Sequence, residues 1–235
     1  MSDIKLSIIV PVYNEENTIL EILKKINKIN LIDDFEIIVI NDGSKDNTEK
    51  IIKNNDGLYT KSLFFKKNSG KGNAVIEGIK SSEGSYIIIQ DADLEYNPKD
   101  IESLYKKAIN YKADIVMGSR FIGNDRSVLN FWHMIGNRFI SFVFNMLNNT
   151  TFSDIYCCYS LLNSKLIKTE NLKSRGWGQQ AEILTYAVNK SSKIYEIAVS
   201  YDARKYDEGK KIKYYHVIDV LYWIFLTKIK TYLKK

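Results

Sequence analysis

The chain has 235 residues, 45% hydrophobic and 26% charged, a length and balance that suit one folded α/β domain over residues 1–235 and exclude a disordered or fibrous protein. The net charge of +6 is uneven, because residues 1–164 hold 19 basic and 21 acidic side chains while residues 165–235 hold 15 and 7. A basic C-terminal third suits nucleic acid, anionic lipid, a phosphorylated substrate or a plain solvated lysine face. The opening Met1-Ser2-Asp3-Ile4-Lys5 lacks the charged, apolar and small-residue regions of a secretory signal, so a cytoplasmic protein is expected. No run approaches the roughly eighteen apolar residues needed to span a bilayer. Adjacent Cys157 and Cys158 offer neither a disulfide framework nor metal spacing.

In chain order, Leu6 to Val12 is a continuous apolar run and predicts a buried strand. Ile19, Ile22, Leu23, Ile26 and Ile29 come next at helical spacing, with Asn17 as the expected cap. Phe35 to Ile40 repeats the strand signal, and Asn41-Asp42-Gly43-Ser44 turns into a helix around Asn47 to Lys53. A third cycle runs from Ser62–Phe65 through Asn68-Ser69-Gly70-Lys71-Gly72 into a helix near Asn73 to Lys80. Tyr86 to Gln90 is a fourth strand. Asn97 and Pro98 then open a helix with Ile101, Leu104, Tyr105 and Ala108 on its apolar face, and Ala113 to Met117 is a fifth strand. The alternation predicts an α/β fold with a mostly parallel sheet, helices on both faces and a ligand site at the carboxyl ends of the strands. Residues 131–147 and Tyr214 to Leu233 carry aromatic, amphipathic patterns that fit either core helices or helices lying in a membrane interface.

The chemistry-bearing residues cluster at the predicted strand ends. Asp91, Asp93 and Glu95 alternate after an apolar strand, and in extended backbone their carboxylates project to one side. Three converging hard oxygen donors suit Mg²⁺ or Mn²⁺ bridging to substrate phosphates, although a solvated acidic loop has the same composition. Asp42 can accept hydrogen bonds from a base or ribose, or simply form an Asx turn. Pro11, Tyr13 and Glu15 offer an aromatic face for a base and a carboxylate for ribose hydroxyls. Gly70-Lys71-Gly72 fits neither a Walker nor a dinucleotide fingerprint, but it permits close backbone approach to a nucleotide with Lys71 nearby. The basic residues form no nucleic-acid recognition motif, and the acidic cluster would repel a phosphate backbone, so no nucleic-acid partner is expected.

Val10-Pro11-Val12-Tyr13-Asn14-Glu15, Asn41-Asp42-Gly43-Ser44, Gly70-Lys71-Gly72, Asp91-Ala92-Asp93-Leu94-Glu95 and Met117-Gly118-Ser119-Arg120 occur in that order, and together they resemble family 2 glycosyltransferases of the GT-A fold. The dolichol-phosphate (polyprenol-phosphate) mannosyltransferase branch is the most similar, from Leu6 to about Phe225. Ser153-Asp154, Gly176-Trp177-Gly178 with Ala181-Glu182-Ile183, and the stretch from Tyr201 to Ile212 resemble a bacterial and archaeal subgroup of it. The resemblance implies a nucleotide-sugar half over residues 1–120, an acceptor half over 121–213 and an amphipathic helix over 214–235. It implies that Pro11, Tyr13, Glu15 and Asp42 hold the nucleoside of a GDP- or UDP-hexose, and that Asp91, Asp93 and Glu95 hold Mg²⁺ or Mn²⁺ and the diphosphate. Arg120, Arg138, Arg204 and Lys210 would surround donor and acceptor phosphates, as persistent cations able to grip phosphoryl oxygens.

The implied acceptor is a polyprenyl phosphate, with the enzyme peripheral on a membrane surface. An anionic phosphate oxygen attacks the anomeric carbon with inversion and needs little general base, and Asp154 positions the acceptor. A saccharide hydroxyl acceptor, the alternative within the family, would need Asp154 or Glu182 as base. One departure stands out: Ser160 comes after Tyr159 where the family often has a basic residue, which leaves open a different acceptor or a binding module without catalysis.

Overall fold

The computed structural model describes residues 5–123, 131–203 and 216–233. Among these residues seven strands form one sheet: β1 Leu6–Val12, β2 Phe35–Asn41, β3 Lys61–Phe64, β4 Tyr86–Ile89, β5 Ile115–Ser119, β6 Ser160–Asn163 and β7 Ile194–Ala198. Their order is β3-β2-β1-β4-β6-β5-β7. Every pairing is parallel except those of β6, which runs antiparallel to both β4 and β5. The α-helices of the described residues are α1 Ile19–Ile26, α2 Thr48–Lys53, α3 Lys71–Ser81, α4 Asp100–Tyr111, α5 Phe131–Asn148, α6 Gln179–Val188 and α7 His216–Leu233.

The central strands are apolar because both their faces are covered. Ile8, Ile9, Val10, Ile38, Val39, Ile40 and Ile88 are fully buried, and each such side chain contributes about 1.5–3 kcal/mol by leaving water. In α1 the buried set Ile19, Ile22, Leu23 and Ile26 is the expected stripe, but the helix starts after Thr18, whose hydroxyl donates to Glu15 Oε2 at 2.9 Å. The turn into α4 forms at Asn97, whose carbonyl accepts from the Asp100 amide and whose side-chain oxygen accepts from Lys99.

The antiparallel β6 decides which segments can meet at the sheet edge. Parallel strands deliver their outgoing loops to one edge, whereas an antiparallel strand delivers its incoming segment there. The residues after β1, β2, β3, β4, β5 and β7 therefore share an edge with the Asp154–Tyr159 stretch that leads into β6. Ser160 itself opens β6, buried opposite Met117.

Each aromatic segment buries one face in the core, through Ile140 and Phe144 of α5 and Val220 and Ile224 of α7, and turns the other outward. α5 leaves Trp132, Ile135, Phe139, Phe142 and Met146 exposed, and α7 leaves Ile218, Tyr222, Phe225, Ile229 and Tyr232 exposed. Both sets recur at alternating steps of three and four, so each helix presents an outward apolar stripe. The two helices also pack on each other. Among the described residues no helix is long and apolar enough to cross a membrane.

Candidate active site

The loops after β1 and β2 are stitched together by side chains accepting backbone N–H groups. The Asn14 amide donates to Ser44 Oγ at 3.0 Å, Lys45 N to Asn14 Oδ1 at 2.8 Å, and Glu15 N to Thr48 Oγ1 at 2.9 Å. Asn14 holds a left-handed φ of 52° to make this corner. Pro11, Tyr13 and Glu15 thus stand partly buried on a fixed rim.

Asp42 lies just past β2 and is nearly buried. Its two carboxylate oxygens accept the backbone amides of Ser69 at 2.7 Å and Gly70 at 2.9 Å. Burial raises its pKa, and the Ser69 and Gly70 N–H groups oppose that rise. Asp42 therefore shapes the glycine turn. The glycines serve a purpose the sequence did not disclose. A Cβ on Gly70 would sit 2.4 Å from the Arg175 carbonyl oxygen, and one on Gly72 would sit 2.5 Å from that of Ser174. The backbone that approaches this turn belongs to the Lys173–Gly178 segment, and Gly72 N donates to Arg175 O at 3.0 Å.

That segment is held from several sides. Glu182, fully buried, accepts the amides of Lys173 and Ser174 at 2.8–3.0 Å. Tyr156 donates to the Trp177 carbonyl at 2.9 Å, and Gly178 N donates to Asp219 Oδ2 of α7 at 2.9 Å. Trp177 stacks on His216, ring centres 5.1 Å apart. Glu182, a possible base on sequence grounds, is thus committed to backbone.

The acidic segment differs from its expected geometry. The strand ends at Ile89, and residues 92–95 bend rather than extend. Ala92 is buried and the Glu95 amide donates to Asp93 Oδ1 at 3.1 Å, which closes a tight turn and sends the three carboxylates different ways. Asp91 Oδ1 lies 2.6 Å from the Lys71 ammonium. Glu95 Oε2 accepts the Tyr201 hydroxyl at 3.0 Å. Among the described residues no group of three His, Cys, Asp or Glu side chains is placed to hold a metal, so Asp91, Asp93 and Glu95 do not converge as extended backbone would have them. A divalent ion still fits the donor set. Mg²⁺ and Mn²⁺ take hard oxygens, commonly one or two carboxylates completed by substrate phosphates, and a cation is already drawn to Asp91. Burial would lower the Lys71 pKa, but the surrounding negative charge, that of Asp91 foremost, together with its hydrogen bond outweighs burial and raises it, so the ammonium stays protonated.

Arg120 and Asp154 grip one another. Arg120 Nε donates to Asp154 Oδ2 at 2.7 Å, its Nη2 to Oδ1 at 2.9 Å, and its backbone N to Oδ2 at 3.2 Å. The side chains are 9% and 0% exposed. Glu196 accepts the amides of Ser153 and Asp154, which fixes the carboxylate's own loop. A bidentate buried pair has little freedom to turn to a phosphate, so the pair forms the floor of the site. Arg138 lies exposed on α5, and Arg204 and Lys210 fall outside the described residues.

Against known proteins, the glycosyl transferase family 2 profile matches residues 7–170. The chain belongs to glycosyl transferase family 2. This family 2 chain is 30% identical over 218 residues to an uncharacterized protein of Methanocaldococcus jannaschii, covering 87% of the chain and 93% of the relative. It is 34% identical over 119 residues to the dolichol-phosphate mannosyltransferase of Pyrococcus furiosus, spanning 50% of the chain and 34% of that enzyme. Its fold matches Mycobacterium tuberculosis glucosyl-3-phosphoglycerate synthase solved with Mn²⁺, UDP and glucosyl-3-phosphoglycerate, at TM-score 0.68 and 14% identity, covering 96% and 79% of the two chains. The architecture is GT-A, and a family 2 glycosyltransferase transfers sugar from a nucleotide-sugar donor.

Proposed function

We propose that this glycosyltransferase moves a hexose from a GDP- or UDP-sugar to a polyprenyl phosphate while resting on a membrane surface. The observation that carries this reading is the pair of outward aromatic stripes on α5 and α7, which a small-molecule acceptor leaves without purpose. Along these two helices the only carboxylate is Asp219, already engaged with Gly178, whereas Arg138, Lys228 and Lys230 supply positive charge, with Lys234 and Lys235 next in sequence. Aromatic rings beside cations suit an anionic bilayer interface. The stretch similar to a dolichol-phosphate mannosyltransferase supports the same acceptor class.

Asp91 and Asp93 would hold Mg²⁺ or Mn²⁺, which when bound supplies positive charge to the donor diphosphate. Lys71 then turns from Asp91 toward phosphoryl oxygens, and Tyr13 and Glu15 bracket the nucleoside. The acceptor phosphate oxygen forms a bond to the anomeric carbon as the bond from that carbon to the diphosphate oxygen breaks, and the nucleoside diphosphate leaves. An anionic phosphate needs no base. The two carboxylates a hydroxyl acceptor would call on, Asp154 and Glu182, are bound to Arg120 and to backbone amides, which favours the phosphate.

Incubating the protein with Mn²⁺, each nucleotide sugar in turn and polyprenyl phosphate as sole acceptor tests the reading. A sugar phospholipid product is expected, and transfer only to saccharide hydroxyls would overturn it. Sedimentation with vesicles rich in anionic lipid tests the surface: wild type co-sediments, and a Phe142→Glu, Phe225→Glu variant stays in the supernatant.

A further inference from the structure

The Lys173–Gly178 segment lies between the glycine turn and α7 and belongs to no helix or strand, so its shape is set by what holds it. Its middle braces the turn: the Arg175 carbonyl accepts Gly72 N at 3.0 Å, and the approach leaves no room for a side chain at Gly70 or Gly72. Its start is held by Glu182. Its end is held by α7, where the Gly178 amide donates to Asp219 Oδ2 at 2.9 Å. A Cβ on Gly178 would sit 2.2 Å from the Trp223 ring, and one on Gly176 would sit 3.3 Å from Asp219 Oδ2 itself. Asp219 is the one carboxylate of α7, placed in its first turn, and its partner Gly178 is the cap residue of α6. The positive ends of two helices thus favour its negative charge.

We propose that Asp219 is a positioning residue for nucleotide binding: by fixing Gly178 it holds the Arg175 carbonyl against Gly72, and so sets the turn that presents Lys71. The inference rests on the donor site proposed beside Lys71. Gly72 follows Lys71 in the first turn of α3, and Asp42 holds the same turn from its other side through the Ser69 and Gly70 amides. Without Asp219, Gly178 loses a charged acceptor and the segment keeps only one of its two carboxylate anchors. The nucleotide then has to order the turn as it binds, which weakens binding. α7 also carries an outward apolar stripe, so the helix proposed to meet lipid is the one that steadies the donor turn.

Isothermal titration of UDP and GDP, with Mn²⁺ present and no acceptor, reads nucleotide affinity apart from turnover. Asp219→Ala is expected to weaken binding of whichever nucleotide the wild type takes by about tenfold. Asp219→Asn, whose amide oxygen still accepts from Gly178, should bring it back to within about threefold of wild type. Asp114→Ala also strips a carboxylate from backbone amides, but ahead of β7, and should bind as wild type does, so lost stability alone does not move the readout. In wild-type protein, where no variant has to fold, the same nucleotide should slow hydrogen exchange at Lys173–Gly178 and in the first turn of α7 as well as at the glycine turn. Wild-type affinity in Asp219→Ala, an Asn variant as weak as the Ala variant, an equal loss in Asp114→Ala, or protection that stops at the glycine turn overturns the inference and leaves the donor site standing. Wild-type protein that binds neither nucleotide overturns both.

Discussion

Two carboxylates at the same sheet edge each face a cation, and they are built for opposite purposes. Asp91 meets Lys71 in a single 2.6 Å contact, with the two side chains 21% and 34% exposed. Asp154 meets Arg120 through three hydrogen bonds in a buried pocket. A single contact near solvent can be exchanged at small cost, whereas separating a buried bidentate pair leaves an uncompensated charge. The mouth of the site is therefore the easier of the two to re-pair, and its floor the harder.

The sharpest way to break the contrast is at the mouth. Asp93→Ala is expected to lower transfer by about a thousandfold or more, through loss of electrostatic stabilisation of the leaving diphosphate, with the circular dichroism spectrum unchanged. Retained activity would remove Asp93 from the chemistry. At the floor, Asp154→Ala should cost about 3–5 kcal/mol of stability by orphaning Arg120, seen as a melting point lower by roughly 10 °C for a chain of this size. A loss below about 1 kcal/mol would mean that the floor is as exchangeable as the mouth.

Lys71→Met sharpens the comparison, because its effects have opposite signs. Removing the ammonium from Asp91 should tighten Mn²⁺ binding without nucleotide a few-fold, a competing single-contact pair near solvent being worth about 1 kcal/mol. The same change should weaken nucleoside diphosphate binding about tenfold by deleting a charged donor to phosphate. Isothermal titration measures both, and a loss of Mn²⁺ affinity would contradict the exchange.

The smallest effect lies away from the site. Asp114 accepts the Ser192 and Lys193 amides and the Ser192 hydroxyl ahead of β7, and these bonds, that from the Ser192 amide foremost, lower its pKa. A carboxyl depressed in the folded state stabilises above its unfolded pKa, and that contribution is lost as pH falls through the folded value. Asp114→Ala should cost about 1 kcal/mol at pH 7, and denaturant melts should show the gap to wild type closing below about pH 4.

Mouth and floor also differ in how far the sequence discloses them. β1, β2 and β4 are legible because strands buried on both faces are continuous apolar runs, and the polar clusters that end them are legible as loops at one sheet edge. The bend at 92–95 is not, since Asp-Ala-Asp-Leu-Glu alternates equally well in an extended strand, and only burial of Ala92 and the Glu95 amide bond to Asp93 distinguish the two. β6 is four residues long and carries no period of its own. Its antiparallel direction, which delivers Asp154 to Arg120 across 34 positions of sequence, depends on pairing that no local pattern encodes. The stripes on α5 and α7 are visible as periodicity, but periodicity does not say whether a stripe faces core or surroundings; the exposure of Trp132, Phe142 and Tyr222 does.

In the proposed reaction an ion is drawn to the mouth only in the company of a diphosphate. Manganese electron paramagnetic resonance with and without UDP or GDP measures this directly. Wild-type protein is predicted to take up Mn²⁺ tightly only with the matching nucleotide, and Asp91→Asn and Asp93→Asn are each predicted to leave the ion free in solution. Equal Mn²⁺ binding by all three proteins, or nucleotide binding indifferent to the ion, would contradict that mechanism.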